Sequence, residues 1–294
     1  MEIGLVTYTP EKVKGYDYHV YYSKWVNGSV FPAAKGMQND VSCFCDAKAI
    51  REKPSIAAIS KNGPALRKNR KANLAFDYVC PTNPEYRMKV LEYIKELNDQ
   101  NILGVTLNLY HFPEEGFCVC PRCVELWRTS GLNWIKWRAE TITQFISDAK
   151  NVVKGTFAVE MFPDPVLAKE RFGIDFDKIA EYVDYFHVPL SARDYTTNYW
   201  VDLLARDFLK TLKKPVVLEL SAEMPNFEKM DALLKTMAYL SRFNFKAILL
   251  LVHNSKNAEE ICEFAVKNKE YRDWLDRFEF SNMIKIVEKW ATVY

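Results

Sequence analysis

Short apolar runs rich in β-branched and aromatic residues alternate along the chain with segments of helical periodicity. The apolar runs predict eight strands, at residues 3–8, 41–45, 74–79, 105–109, 156–162, 185–188, 216–220 and 247–252. Helical periodicity falls at residues 85–97, 133–153, 175–182, 199–212, 227–243 and 258–266. Strands that alternate with helices pair in parallel through right-handed crossovers. The pattern therefore predicts an α/β fold, a (β/α)8 TIM barrel that occupies residues 1–294 as a single domain.

Three segments depart from this alternation. Residues 10–39 are rich in tyrosine with scattered glycine and proline, which predicts an irregular N-terminal region. Residues 48–73 form a long polar connection, and residues 271–294 are apolar at helical spacing. The latter predict an extra C-terminal helix that closes the barrel or packs on its outside. An open doubly wound sheet is the alternative fold, but the chain contains neither of the glycine-rich nucleotide-binding motifs that would favour it.

The direction of the strand side chains selects candidate site residues. Side chains alternate between the two faces of a strand, and in a barrel the outward face must be apolar because it meets the helices. This rule turns Asn108, Glu160 and Glu219 toward the barrel interior, near the carboxyl ends of their strands. The full predicted ring at the barrel mouth is Asp46, Asp77, Asn108, Glu160, His187, Glu219 and His253.

Charge and composition narrow the classes of partner. The 40 basic and 38 acidic side chains nearly cancel, so nucleic acid and anionic membrane are not expected partners. No apolar run reaches the roughly 20 residues of a membrane span, and the start of the chain lacks the pattern of a signal peptide. A cytoplasmic protein is therefore predicted. Abundant lysine and glutamate with little glycine suit a thermophile.

Four of the seven cysteines have the spacing of a metal site. Cys118, Cys120 and Cys123 form C-x-C-x-x-C, and Cys80 lies upstream. Four thiolates make a closed tetrahedral zinc site, which is structural because no position is left open for a substrate. An iron–sulfur cluster also takes four thiolates, but this tight spacing is not that of a ferredoxin. The remaining cysteines, Cys43, Cys45 and Cys262, are interpreted as packing residues.

The residues around these cysteines resemble a known group of proteins. The runs VCPTNPEYR, GVTLNLYHFP and FCVCPRC, followed by RFGIDFDKIAEYVDYFHVPLSARDY, resemble the glycosyl-hydrolase-like (β/α)8 barrel proteins over residues 40–195. The cysteine arrangement is similar to the zinc site of the thermophile-type β-galactosidases. Asn108 stands where the first group has aspartate, and Leu109 stands where the β-galactosidases have a catalytic glutamate.

The resemblance implies a glycoside hydrolase-like activity on a small saccharide or glycoside. Glycoside hydrolysis uses two carboxyl groups that flank the scissile bond. The β-galactosidase pattern makes Glu219 the nucleophile, which leaves Glu160 as acid/base, with Asp77 or Glu115 in reserve. The predicted substrate-binding residues are Asp77, Asn108, Tyr110, His187, His253 and Trp200.

Two other functions stay open. One is a catalytically degenerate TIM barrel that binds a carbohydrate or another small ligand and keeps the structural zinc. The other is a metal-dependent hydrolase that uses His187, His253 and carboxylates, although no H-x-H or H-E-x-x-H motif is present. The sequence leaves open whether the chain forms a homo-oligomer.

Overall fold

The computed structural model describes residues 1–190, 198–222 and 227–294. Within these ranges, eight strands form a closed parallel barrel in the order β1-β10-β9-β8-β7-β6-β3-β2. The barrel strands are β1 (Glu2–Thr7), β2 (Tyr18–Lys24), β3 (Gln38–Ser42), β6 (Gly104–Asn108), β7 (Thr156–Glu160), β8 (Tyr185–Pro189), β9 (Val216–Ser221) and β10 (Ala247–Val252). The strands β4 (Ile59–Ser60) and β5 (Gly63–Pro64) form a separate antiparallel pair. The predicted (β/α)8 barrel is confirmed.

Helices connect and surround the strands. In the described ranges they are α1 (Ala47–Glu52), α2 (Pro84–Asn98), α3 (Pro121–Ser130), α4 (Trp134–Val152), α5 (Ala168–Phe172), α6 (Phe176–Ile179), α7 (Tyr199–Thr211), α8 (Phe227–Leu240), α9 (Ser255–Lys267), α10 (Lys269–Arg277) and α11 (Ser281–Ala291). Asparagine side chains accept a backbone N–H at the start of several of them: Asn83, Asn133, Asn254 and Asn268. Such N-caps satisfy helix donors that have no partner within the helix.

The predicted second and third strands are wrong in position. Residues 74–79 are not a barrel strand, because Tyr78 and Val79 only bridge to Cys45 and Ala57 outside the barrel. The barrel instead takes Tyr18–Lys24 as β2, from the region predicted to be irregular. Aromatic residues such as Tyr18 fill a pleated, buried surface as well as branched ones do. The predicted count of eight is therefore correct because one missed strand offsets one false strand.

Strand β3 begins three residues before the predicted strand and consists mainly of polar residues. Gln38, Asp40 and Ser42 share one face of this strand and are all buried. Gln38 Nε2 donates to Thr106 Oγ1 at 3.2 Å, and Asp40 accepts from Asn108. A polar strand is stable inside the barrel because its side chains have partners there. The strand was predicted three residues too late because the prediction relied on hydrophobic residues, and β3 begins with polar ones.

The described residues divide into two compact units, 1–22 with 185–294 and 23–184. In the first unit, β1 pairs with β10 from Glu2↔Ala247 to Thr7↔Val252. Gly4 permits the close approach of both neighbouring strands, because a Cβ there would lie 2.5 Å from the carbonyl oxygen of Tyr18 on β2 and 2.6 Å from Leu249 Cδ2 on β10. The predicted single domain stays a prediction.

The predicted C-terminal helix is two helices, α10 and α11. The fully buried Trp290 of α11 donates its indole N–H to the carbonyl of Gly15 at 3.1 Å. Its ring also contacts Tyr16 at 5.7 Å between centroids. The tail thus packs against the segment between β1 and β2. Among the described residues, no helix combines the length and hydropathy that a membrane crossing requires.

Candidate functional site

The four predicted metal ligands come together in the unit formed by residues 23–184. The sulfur atoms of Cys80, Cys118, Cys120 and Cys123 all lie within 4.8 Å of one another. All seven cysteines of the chain fall in the described ranges, and none of them forms a disulfide. The predicted clustering of Cys80 with the C-x-C-x-x-C motif is confirmed.

Short backbone contacts hold the cluster in place. The N–H of Ile59 donates to Cys118 Sγ at 3.2 Å, and the N–H of Val119 donates to the carbonyl of Ile59 at 2.7 Å. On the other side, the N–H of Cys80 donates to the carbonyl of Ile56 at 2.8 Å. The polar connection between α1 and α2 therefore supplies part of the wall around the cysteines.

The geometry fits a tetrahedral metal. With metal–sulfur bonds of about 2.3 Å, the sulfurs of such a site lie about 3.8 Å apart. Cys80 Sγ is 3.8 Å from Cys120 Sγ and 3.4 Å from Cys123 Sγ. Hydrogen bonds within the cluster hold the pKa of Cys120 well below its ordinary value and raise the pKa of Cys118 and Cys123, so the four thiols are strongly coupled to one another. A cavity of about 300 Å³ borders Cys80 and Cys120.

An arginine braces the loop that carries the motif. Arg138 is fully buried on α4 and donates to the carbonyls of Glu114, Glu170 and Arg171. Arg171 in turn binds the Glu114 carboxylate at 2.8 Å. These bonds tie the loop after β6 to helix α5. Sequence reasoning missed Arg138, since one arginine on a helix gives no signal of burial.

The unit formed by residues 1–22 and 185–294 contains the candidate nucleophile. Glu219 lies on β9 and is 2% exposed, and His187 lies on the neighbouring strand β8 and is 1% exposed. His187 Nε2 is 3.0 Å from Glu219 Oε2. Strand alternation predicted that both side chains turn inward, and the contact agrees with that prediction. A buried carboxylate is expensive to desolvate unless a partner stabilises it.

Aromatic rings lie at the strand ends of the same unit. Tyr8 follows β1, and its ring stacks on His253, which follows β10, with centroids 6.2 Å apart. Tyr22 of β2 contacts Tyr8 at 5.1 Å. His253 is exposed at this position. Tyr22 was not among the predicted site residues, although strand parity gives it the same inward direction as Tyr18.

Asn108 and Glu160 occupy strand ends in the unit formed by residues 23–184. Glu160 is the last residue of β7 and is half-buried. Asn108 is the last residue of β6, and its Nδ2 donates to Asp40 Oδ1. Asp40 was missed because β3 was predicted three residues too late.

Asp46 belongs to a buried network rather than to an open ring. Its carboxylate lies 3.4 Å from Lys24 Nζ and accepts from the Tyr86 hydroxyl at 2.8 Å. It also caps α1 by accepting from the N–H of Ala49. Burial would raise the pKa of Asp46, but Lys24 and these donors outweigh it and hold the pKa below its ordinary value. The prediction that Asp46 faces the mouth is therefore corrected, because its carboxylate binds Lys24 of β2, Tyr86 of α2 and the first turn of α1.

Two further predicted binding residues have contacts within the protein. Asp77 follows no barrel strand, and its carboxylate accepts from the N–H of Arg67 at 2.6 Å within the polar connection. Tyr110 is fully buried, and its hydroxyl contacts Met161 Sδ at 3.4 Å. The predicted placement of Asp77 at a strand end is wrong, because residues 74–79 are not in the barrel. A buried ring such as Tyr110 exposes no face to a ligand.

The remaining candidates are exposed. Trp200 lies at the start of α7 with 64% of its surface exposed, beside Tyr199. Glu115, the reserve acid, is exposed in the loop after β6. The resemblance segment ends in residues 191–195, which lie outside the described residues. Binding roles for Trp200 and the other predicted contacts stay predictions.

Comparison with known proteins supports the fold class. No protein-family model matches the chain, and no curated protein matches it significantly in sequence. Solved structures that resemble it include glycoside hydrolases, and these matches support the TIM-barrel fold.

Two of the similar structures, each with a TM-score above 0.5, illustrate the likeness. One is a variant of the glycoside hydrolase domain of PelA from Pseudomonas aeruginosa, with a TM-score of 0.53 and 10% identity over 87% of this chain and 96% of that chain. Another is α-L-fucosidase isoenzyme 2 from Paenibacillus thiaminolyticus, with a TM-score of 0.52 and 12% identity. The match covers 99% of this chain and 48% of the fucosidase. Identities this low show a shared fold alone.

Proposed function

We propose that the protein is a glycoside hydrolase that acts on a small saccharide or glycoside, with Glu219 as nucleophile and Glu160 as acid/base. The observation that carries the proposal is the buried contact of Glu219 with His187 on adjacent parallel strands. A carboxylate buried at that depth in a barrel has a high desolvation cost, which is typical of functional rather than structural positions. In TIM-barrel enzymes the chemistry takes place at the carboxyl ends of the strands, where Glu160 also lies.

The proposed reaction follows from the two roles. Glu219 attacks the anomeric carbon and forms a glycosyl ester, while Glu160 gives its proton to the leaving oxygen. Glu160 then takes a proton from water, whose oxygen attacks the anomeric carbon and releases Glu219. His187, whose Nε2 lies 3.0 Å from Glu219 Oε2, orients the Glu219 carboxylate before attack and after release.

The test is hydrolysis of a panel of 4-nitrophenyl glycosides that includes galactoside, glucoside, fucoside and N-acetylglucosaminide. We expect Glu219→Gln to lower kcat by about 10³-fold or more, because removal of a catalytic nucleophile removes the covalent route. Glu115→Gln is the matched control, since Glu115 is exposed. Activity that survives Glu219→Gln and falls with Glu115→Gln would reject the assignment.

We also propose that Cys80, Cys118, Cys120 and Cys123 hold a structural zinc ion. The support is the sulfur geometry and the absence of disulfides among these described cysteines. Four protein thiolates leave no open position, so the ion would cross-link the loop after β6 to residue 80 and supply folding energy. Elemental analysis is expected to find about one zinc per chain.

A degenerate barrel that only binds a saccharide is the second candidate function. It is favoured by Asn108, an amide at the strand end where the resembling groups have a carboxylate. It predicts binding of the same glycosides without turnover, measured by calorimetry beside the hydrolysis assay.

A further inference from the structure

Asn108 has one half of its amide engaged and the other half without a protein partner. Its Nδ2 donates to Asp40 Oδ1. Its Oδ1 is buried and has no hydrogen-bond partner among the described residues. Asn108 is 5% exposed and ends β6. Buried acceptors in native proteins are nearly always satisfied, so this oxygen calls for a donor from outside the chain.

Asp40 determines which end of the amide is available. A carboxylate oxygen can only accept, so Asn108 must turn its NH2 group toward Asp40. Asp40 is fully buried and pairs in register with Thr106, two residues before Asn108 on β6. The amide oxygen of Asn108 is thereby left as the free acceptor.

The deeper neighbours do not supply the missing donor. Gln38 Nε2 donates to Thr106 Oγ1 at 3.2 Å and to the carbonyl of Thr156 at 3.3 Å. Gln38 and Thr156 are the first residues of β3 and β7, so the Gln38 amide is engaged deeper in the barrel than Asn108, which ends β6. The donor for Asn108 Oδ1 therefore has to come from a ligand that carries hydroxyl or N–H groups.

We propose that Asp40 is a positioning residue that fixes Asn108 as a hydrogen-bond acceptor for a hydroxyl group of the saccharide. The choice of a saccharide rests on the proposed function, whereas the orientation of the amide does not. A site built to accept from a hydroxyl discriminates strongly against ligands that lack it, because the buried acceptor is then left unpaired.

Thermal stability tests the orientation without any substrate. Asn108→Asp places two carboxylates in contact, and we expect its Tm to fall by about 5–10 °C. The exchange variant Asp40→Asn with Asn108→Asp restores one donor and one acceptor with their positions reversed. It is expected to regain at least half of that loss. An exchange variant no more stable than Asn108→Asp would overturn the proposed role of Asp40.

Kinetics on the same glycoside panel test the acceptor. Asn108→Leu is expected to raise KM about tenfold, while the exchange variant, which keeps an acceptor at position 108, stays within about threefold of the native KM. Asp40→Asn lets the amide turn, and it is expected to raise KM about threefold with a smaller change in kcat. Native KM in Asn108→Leu would overturn the inference.

If the native protein hydrolyses no glycoside, the proposed activity fails and the acceptor is tested by binding. Galactose, glucose and fucose are then added in a thermal-shift assay. Stabilisation of the native protein that is lost in Asn108→Leu supports the inference, and equal stabilisation of both proteins contradicts it.

Discussion

The cysteine cluster and the His187–Glu219 pair are both buried groups of chemically active side chains, yet they are built in opposite ways. Three of the four cysteines lie within six residues, and backbone donors such as the N–H of Ile59 support them. His187 and Glu219 are 32 residues apart in the sequence, and adjacent parallel strands bring them together. The first group is local and is expected to serve stability. The second is non-local and is expected to serve chemistry.

The largest expected effect is on the local group. Cys123→Ser removes a ligand, so zinc content should fall from about one to below about 0.1 per chain and Tm should fall by about 10 °C or more. Elemental analysis and calorimetry measure both quantities. Cys262→Ser is the control, because that buried cysteine lies outside the cluster beside the Tyr16 hydroxyl. A stable, zinc-free Cys123→Ser protein would remove the stabilising role.

The non-local pair is expected to respond in activity more than in stability. His187→Gln should lower kcat about 10- to 100-fold, because the substitution removes the imidazole nitrogen that lies 3.0 Å from the carboxylate of the proposed nucleophile. Zinc content should be unchanged. Both variants should be assayed at temperatures where Cys123→Ser is folded. If Cys123→Ser then loses as much activity as His187→Gln, the two groups do not have separate roles.

His111 is a second buried histidine, and its environment differs from that of His187 beside Glu219. His111 lies among Tyr78, Tyr110 and Phe172, and Nδ1 is 2.7 Å from the carbonyl oxygen of Phe112. Burial lowers the pKa of His111 to about 4, with Arg138 adding to the effect and the Phe112 carbonyl and Glu114 opposing it.

The stability contributed by this pKa shift has a defined sign. Because the folded pKa lies below the unfolded value of about 6.5, the unfolded state binds more protons between these values. The contribution is therefore complete above pH 6.5 and is lost as pH falls toward 4, by up to about 3 kcal/mol. The unfolding free energy, measured by denaturant titration at a series of pH values, should fall more steeply toward pH 4 in the native protein than in His111→Asn. Parallel curves would show that His111 does not titrate on unfolding.

The smallest effect is expected at the exposed rim. Trp200→Ala should change unfolding free energy by less than about 0.5 kcal/mol, because the side chain is largely exposed. If the indole stacks on a sugar ring, KM should rise up to about tenfold. Leu203→Ala on the same helix is the control. Unchanged KM would remove Trp200 from the binding residues.

Local patterns in the sequence determined much of this protein. The C-x-C-x-x-C spacing predicted a cluster that the structure forms with Cys80. Helical periodicity located α2, α4, α7, α8 and α9 to within a few residues. Strand alternation turned His187 and Glu219 the same way, because parity along a strand is set by backbone geometry and needs no knowledge of the partner strand.

The tertiary structure decided what depends on partners distant in sequence. It placed Tyr18–Lys24 in the barrel and residues 74–79 outside it, because both runs have strand propensity and only pairing distinguishes them. It also allowed Gln38–Ser42 to form a strand although most of its residues are polar, since Thr106 and Asn108 are hydrogen-bond partners of Gln38 and Asp40. It also took Asp46 into a network with Lys24. A polar residue's role follows from the group opposite it, and that group is set by the fold rather than by the neighbouring residues in the sequence.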